Sequence, residues 1–254
     1  MITVVLLGAG NVAQHLYTAF RNQELTKVVQ CYNRKGIPIH KNQKKDTVTS
    51  DLSNLKEADL YILAISDDAI EEVSRALPFQ NRLVVHTSGS VPMDAINDKN
   101  FRGVFYPLQT FSATKEVNFT NIPFCIEAES EKDETILKSL ASQLSKKIYD
   151  INSDQRNVLH VAAVFVNNFT NHMFSLGNDI CKENEVPFEI LHPLIQETAK
   201  KIIEIEPDNA QTGPAIRNDI KTIDRHIDIL KNESQKNIYK ILTKAIQSKY
   251  GKEL

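Results

Sequence analysis

The run Gly8-Ala9-Gly10-Asn11-Val12-Ala13 sets two glycines and a small residue at the spacing GxGxxA. The first glycine permits a tight turn, the second lets backbone approach a pyrophosphate, and the small third residue lets a helix pack on a strand. The free N–H groups and positive dipole end of the following helix suit the same anion. An apolar run before the glycines and an amphipathic run after them give the context in which this spacing means dinucleotide binding rather than a bare glycine turn. Gly8, Ala9, Gly10, Asn11 and Val12 are therefore candidate cofactor contacts. Further on, Cys31-Tyr32-Asn33-Arg34-Lys35 occupies the place where an NAD-selective site carries Asp or Glu for the ribose 2′-OH, and no carboxylate is there. The planar donor fork of Arg34 suits a 2′-phosphate instead. The sequence thus predicts NADP(H), with Asn33 and Arg34 at the adenosine ribose and Lys35, His40 and Lys41 assisting.

Two more turns follow apolar runs: Ala64-Ile65-Ser66-Asp67 and His86-Thr87-Ser88-Gly89. In open α/β sheets ligands lie beyond the carboxyl ends of strands, so Ile65, Ser66, Asp67 and Thr87 are expected to border the nicotinamide ribose. HTSGS does not match the GxSxG nucleophile elbow, which argues against a serine hydrolase. Over 154–182, a wheel at about 100° per residue gathers His160, Val164, Asn167, Asn168, Asn171 and Ser175 into a stripe roughly 100° wide. The rest of that segment is apolar nearly all round, which predicts a buried helix. Buried amides need partners, since an unsatisfied one costs about 1–3 kcal/mol. Those partners are a substrate, the nicotinamide carboxamide, an internal network or a second subunit. Residues 212–219, TGPAIRND, read as the start of a helix whose N-terminus, with Thr212 and Arg217, can hold a substrate carboxylate; capping by Asp219 is the plainer reading. Gln109 and Tyr106, at the end of an apolar run, face either the cleft or the core. The histidines are dispersed, with no metal-ligand spacing among them.

Alternation of elements positions these groups. Apolar runs at 2–7, 27–33, 60–65 and 83–87 read as buried strands, with helix patterns at 11–22 and from Asp67 to about Ala76. The stretch 102–150 continues the series with GVFYPLQTF, PFCIEA, a helix near 131–145 and KKIYDI. This predicts an α/β fold, a Rossmann-type doubly wound parallel sheet over 1–151. Beyond it, 152–254 shows helical periodicity alone, at 154–182, 187–204, 216–231 and 234–249, broken by Pro187, Pro207 and the TGP of 212–214.

Composition excludes several classes. With 254 residues, 41% hydrophobic and 24% charged, the chain can build a core unaided. A formal net charge of −2 provides no global field for nucleic acid. No stretch approaches the ~18 apolar residues of a membrane span. Cys31, Cys125 and Cys181 are far apart, and no signal-peptide pattern opens the chain, so a reduced, cytoplasmic setting is expected.

Taken together, GAGNVA, NR after the second strand, AISDDAI, HTSGS, FYPLQTF, HVAAVFVNNFTNH and TGPAIRND resemble a bacterial family that joins a Rossmann-like domain to a helical domain of unknown function. The resemblance covers nearly the whole chain. Its architecture is similar to pyrroline-5-carboxylate reductase, the deazaflavin-dependent NADP reductases and the 6-phosphogluconate dehydrogenase superfamily. It implies a homodimer built by the all-α domain, with the site between domains or between subunits as well. The superfamily's hydroxyacid dehydrogenases carry a lysine one turn before an asparagine; Asn168 matches the asparagine, but Val164 stands at the lysine. His160, one turn back, is then the candidate acid or base, with Asn167 beside it and Ser88 positioning substrate in an imine-like reduction. Gln109, Asn168, Asn171, Thr212 and Arg217 are the candidate substrate contacts. The reading is an NADP(H)-dependent oxidoreductase acting on a small carbonyl or imine; the alternative is a non-catalytic NADP(H)-binding sensor or regulatory dimer.

Overall fold

The computed structural model describes residues 1–250. The chain divides into two compact units, Met1–Asn167 and Asn168–Leu254.

The first unit holds one sheet of strands β1 (Ile2–Leu7), β2 (Thr26–Tyr32), β3 (Val48–Thr49), β4 (Leu60–Leu63), β5 (Leu83–His86), β6 (Phe101–Pro107), β7 (Phe124–Ala128) and β8 (Ile148–Asp150). Its order is β3-β2-β1-β4-β5-β6-β7-β8. From β3 to β6 all neighbours are parallel; β7 pairs antiparallel with β6, and β8 parallel with β7. The sheet is thus mostly rather than wholly parallel, and the two-residue β3 is too short to leave a periodic signal. Strand alternation sends successive side chains to opposite faces. Val4 and Leu6 join Leu16 and Phe20 of helix α1 (Asn11–Arg21) and Leu137 and Leu140 of α3 (Glu131–Ser142). Val5 and Leu7 join Tyr61, Leu63 and Ile70, the last on α2 (Ile70–Ala76). Burial on both faces explains the continuous apolar runs.

The last helix of this unit is α4 (Ser153–Ala163), begun by a capping box between Asn152 and Gln155. It is tied to the sheet by Arg156, 1% exposed, whose Nη1 is ion-paired with Glu127 on β7. Its Nη2 donates to the Val91 carbonyl at 2.6 Å. Strands end at Asp150, as the periodicity indicates, but the compact unit runs on to Asn167. From Val164 to Phe169 the helix takes the wider i→i+5 form.

The second unit contains α5 (Thr170–Glu183), α6 (His192–Glu204), a turn of helix α7 (Pro207–Ala210), α8 (Ile220–Ile229) and α9 (Glu233–Tyr250). Two sequence expectations need correction. The helix expected from 216 starts at Ile220: Gly213 at φ 110° and Asn218 at φ 54° hold 212–219 as a turn, and Asp219 caps α8 by accepting from Thr222 N at 3.2 Å. The segment 154–182 is not buried: Val158, Val161, Phe165 and Val166 are all more than half exposed. An apolar circumference here marks exposed surface in the single chain rather than an interior.

Candidate functional site

β1 lies between β2 and β4, so the chain leaves β1 to opposite sides in successive crossovers. This switch point is where open α/β sheets leave a crevice beyond their carboxyl ends. The turns that border it are pinned to the sheet: Gly8 N donates to Tyr32 O (2.8 Å), Ala64 N to Leu7 O (2.7 Å) and Thr87 N to Leu63 O (3.2 Å).

The glycines at the turn after β1 do different things. Gly8 has φ 136°, and a Cβ there would overlap the Ala64 carbonyl oxygen. Only glycine fits. A Cβ on Gly10 would meet nothing within 4 Å; the space in front of it is open. Gly10 caps α1 without any side-chain hydrogen bond, and no acidic residue sits in the first turn. The helix therefore presents bare N–H groups and its positive dipole end to an open cradle, and a pyrophosphate fits both. Val12 is half-buried under the turn, and Ala9 and Asn11 are exposed. The Asn11 side chain is engaged elsewhere: its Nδ2 donates to Phe111 O at 2.9 Å, while His15 Nε2 lies 2.9 Å from Ser112 O. These two contacts fasten the loop after β6 onto α1.

After β2, Asn33 is buried and builds its own turn. Its Nδ2 donates to Ile37 O (2.8 Å), and its Oδ1 accepts from Lys35 N (3.2 Å) and Ile37 N (3.3 Å). That leaves Arg34 exposed at the strand end. His40 Nδ1 accepts from Asn42 N at 3.1 Å and faces Arg21 Nη1 at the same distance.

The turns after β4 and β5 are joined: Ser90 Oγ donates to Asp67 Oδ2 at 2.7 Å. Ile65 is half-buried, Ser66 and Asp67 are exposed, and Thr87 is buried. Ser88 Oγ accepts from Ser90 N (3.1 Å) and Val91 N (3.0 Å), so its lone pairs serve the turn. His86, fully buried, accepts from Ser88 N through Nδ1 (3.2 Å) and faces Pro92 O through Nε2 (3.3 Å). It is therefore neutral with its proton on Nε2. Burial first, and the Arg156 charge second, lower its pKa to about 4.

His160 on α4 meets this turn. Its Nδ1 lies 3.2 Å from the Tyr106 hydroxyl at the end of β6. Gly89 packs against both, and a Cβ there would overlap each of them. The structure thus brings Ser88, Gly89, Tyr106 and His160 together. Gln109 is exposed, its Oε1 accepting from Thr110 N at 2.8 Å. Asn167 ends the first unit, exposed on the wide helical segment. In the second unit Asn168 and Asn171 are exposed, and Thr212 and Arg217 are exposed in the turn before α8 rather than at a helix start. The i→i+5 segment breaks the plain 100° wheel, so the stripe drawn from His160 to Ser175 is not one face. No local pattern marks the buried Arg156–Glu127 pair or Tyr106 as a partner of His160, because each contact joins helix α4 to a strand distant in the chain. The described residues contain no His, Cys, Asp and Glu group able to hold a metal.

Comparison with solved structures then decides the family. The protein named "putative NADP oxidoreductase BF3122" from Bacteroides fragilis is 40% identical, covers 97% of this chain and 98% of its own, and superposes with a TM-score of 0.85. This chain belongs to the same family. Residues 122–246 match a domain of unknown function, DUF2520. At lower identity the fold recurs in Plasmodium falciparum pyrroline carboxylate reductase with NADP bound, at 13% identity, covering 98% and 97% of the two chains, with a TM-score of 0.63. It recurs again in an imine reductase from Myxococcus stipitatus in complex with NADP+, at 15% identity, 98% and 96% coverage and a TM-score of 0.65. No curated protein matches the chain.

Proposed function

We propose that this family member binds NADP(H) and reduces a small carbonyl or imine metabolite. The observation that carries the reading is the cradle at α1: Gly8 locked where no side chain fits, Gly10 facing open space, and an uncapped helix end. The named activity of the Bacteroides relative supports it, as do the NADP-bound structures that share the fold.

In this reading the first-turn N–H groups of α1 hold the pyrophosphate. Arg34, exposed beside the turn that Asn33 rigidifies, clasps the 2′-phosphate. Ile65, Ser66, Asp67 and Thr87 border the nicotinamide ribose. The bound cofactor supplies a hydride to the carbon of a C=O or C=N bond. His160 faces the heteroatom of that bond, with Ser88 and Asn167 as its neighbours in role and Gln109 at the rim. The working form is a homodimer in the cytoplasm: single chains rarely leave so much apolar surface exposed, and the three cysteines are free.

Calorimetric titration with each dinucleotide tests the proposal. NADPH is expected to bind more tightly than NADH, and Arg34→Gln to weaken NADPH by about 10–100-fold with NADH unchanged. Indifference to both dinucleotides would sink the reading. Oxidation of NADPH by a panel of keto acids and cyclic imines then separates a reductase from a sensor that only binds.

A further inference from the structure

Tyr106 is 9% exposed, and burial pushes its hydroxyl up to about 12, so it keeps its proton. Among the described residues that hydroxyl has one hydrogen-bond partner, His160 Nδ1 at 3.2 Å. Either atom can in principle donate. If Nδ1–H donated, the buried O–H would be left with no acceptor. Orphaned buried donors are rare, whereas an under-used oxygen lone pair is tolerated. The tyrosine therefore donates. A neutral imidazole that accepts at Nδ1 carries its hydrogen at Nε2. The ring cannot escape this arrangement by sliding away across the turn, because Gly89 closes the third side; even one methyl group there would overlap both partners. His160 itself is half-buried, and its Nε2 has no hydrogen-bond partner among the described residues.

We infer that Tyr106 is a positioning residue that locks neutral His160 as its Nε2–H tautomer, so that His160 offers substrate a donor and selects an acceptor, a carbonyl oxygen rather than a protonated imine nitrogen. A carbonyl oxygen accepts from Nε2–H. An iminium N–H would place donor against donor and leave both unpaired, which sites of this kind reject strongly. The tautomer lock stands on Tyr106, His160 and Gly89 alone; the choice of carbonyl rests on the reductase reading above.

The tautomer is read by long-range proton–nitrogen NMR on full-length protein labelled at histidine nitrogen, at about pH 8, where an ordinary imidazole is neutral. His160→Gln identifies the His160 signals by their disappearance. The parent is expected to show a bare, pyridine-like Nδ1 and a protonated Nε2. Tyr106→Phe is expected to average the two nitrogens as both tautomers become populated. A protonated Nδ1 in the parent, or an identical pattern in Tyr106→Phe, overturns the lock; the parent spectrum decides alone should the variant fail to fold. With NADPH oxidation as readout, carbonyl substrates are expected to exceed cyclic imines by about ten-fold or more in kcat/KM. Tyr106→Phe should shrink that ratio, chiefly through kcat, with NADPH affinity unchanged. An imine preference, or silence toward both classes with NADPH bound, overturns the substrate assignment. A protein that binds no NADPH overturns the reductase reading and leaves the NMR result standing.

Discussion

From Val4 to Leu144 the sheet unit buries apolar side chains on both faces of its strands, whereas beyond residue 168 the buried apolar side chains among the described residues are Ala215 and Ile223. The helical unit is not short of hydrophobic residues: Ile190, Leu194, Ile203 and Ile241 are each more than 60% exposed. The difference lies in who covers them. A doubly wound sheet brings its own two layers of helix, so most apolar strand residues have a cover within the chain; Phe101 and Tyr149, 47% and 48% exposed, are exceptions. The helices α5, α6, α8 and α9 have amphipathic faces whose apolar side chains are exposed in the single chain. Periodicity reports which face is apolar and is silent on what lies against it.

The largest expected effect tests that contrast directly. Parent protein should sediment as a dimer, and Val166→Asp combined with Ile203→Asp should sediment as a monomer. Hydrogen exchange should then lose protection throughout residues 168–250 and keep it in the sheet. A monomeric parent with a fully protected helical unit breaks the comparison.

Next comes the pair that fastens α4 to the sheet. Arg156→Met leaves the Glu127 carboxylate, 15% exposed, without its cation. The expected loss is about 3–5 kcal/mol, read as a lower urea midpoint, with much of it restored when Glu127→Met is added. An unchanged midpoint in the single variant would mean that α4 belongs energetically with the helical unit.

A smaller, pH-dependent effect belongs to His86. Its folded pKa, about 4, lies below the ordinary 6.5, because burial and then Arg156 penalise the cation. On acidification the unfolded chain binds the proton first. The contribution is therefore complete above about pH 6.5 and is lost progressively down to about pH 4, with a total of about 3 kcal/mol. Urea midpoints across that range should fall in the parent and fall less in His86→Gln. Equal slopes in both would place the acid sensitivity outside the sheet unit.

Much of the sheet unit was legible because its signals are local. Gly8 and Gly10 sit at fixed spacing, Arg34 follows a strand, and runs such as Val4–Leu7 must be buried. The departures have local causes too. β3 is two residues long, and the reversal between β6 and β7 follows from pairing that no periodicity encodes. In the candidate site, the backbone turns were readable and the side-chain partners were not. The Asn33 amide and the Ser88 lone pairs anchor their own turns, a role that residue type alone does not announce. Sequence leaves Tyr106 between cleft and core because its partner is 54 residues away. The turn before α8 was read as helix because Ala215-Ile216-Arg217 is permissive, while the positive φ at Asn218 is a property of the folded chain.

The wide helical stretch Val164–Phe169 also governs how residues here correspond to those of distant reductases. Each i→i+5 turn accommodates one residue more than an α-turn, so it stores an insertion without interrupting the helix. Against a relative with a straight helix, positions before and after the stretch cannot both be matched in a gapless pairing. A role carried from such a relative onto Asn168 thus slips by one position, whereas Val164, whose N–H still bonds the His160 carbonyl, keeps the register of His160.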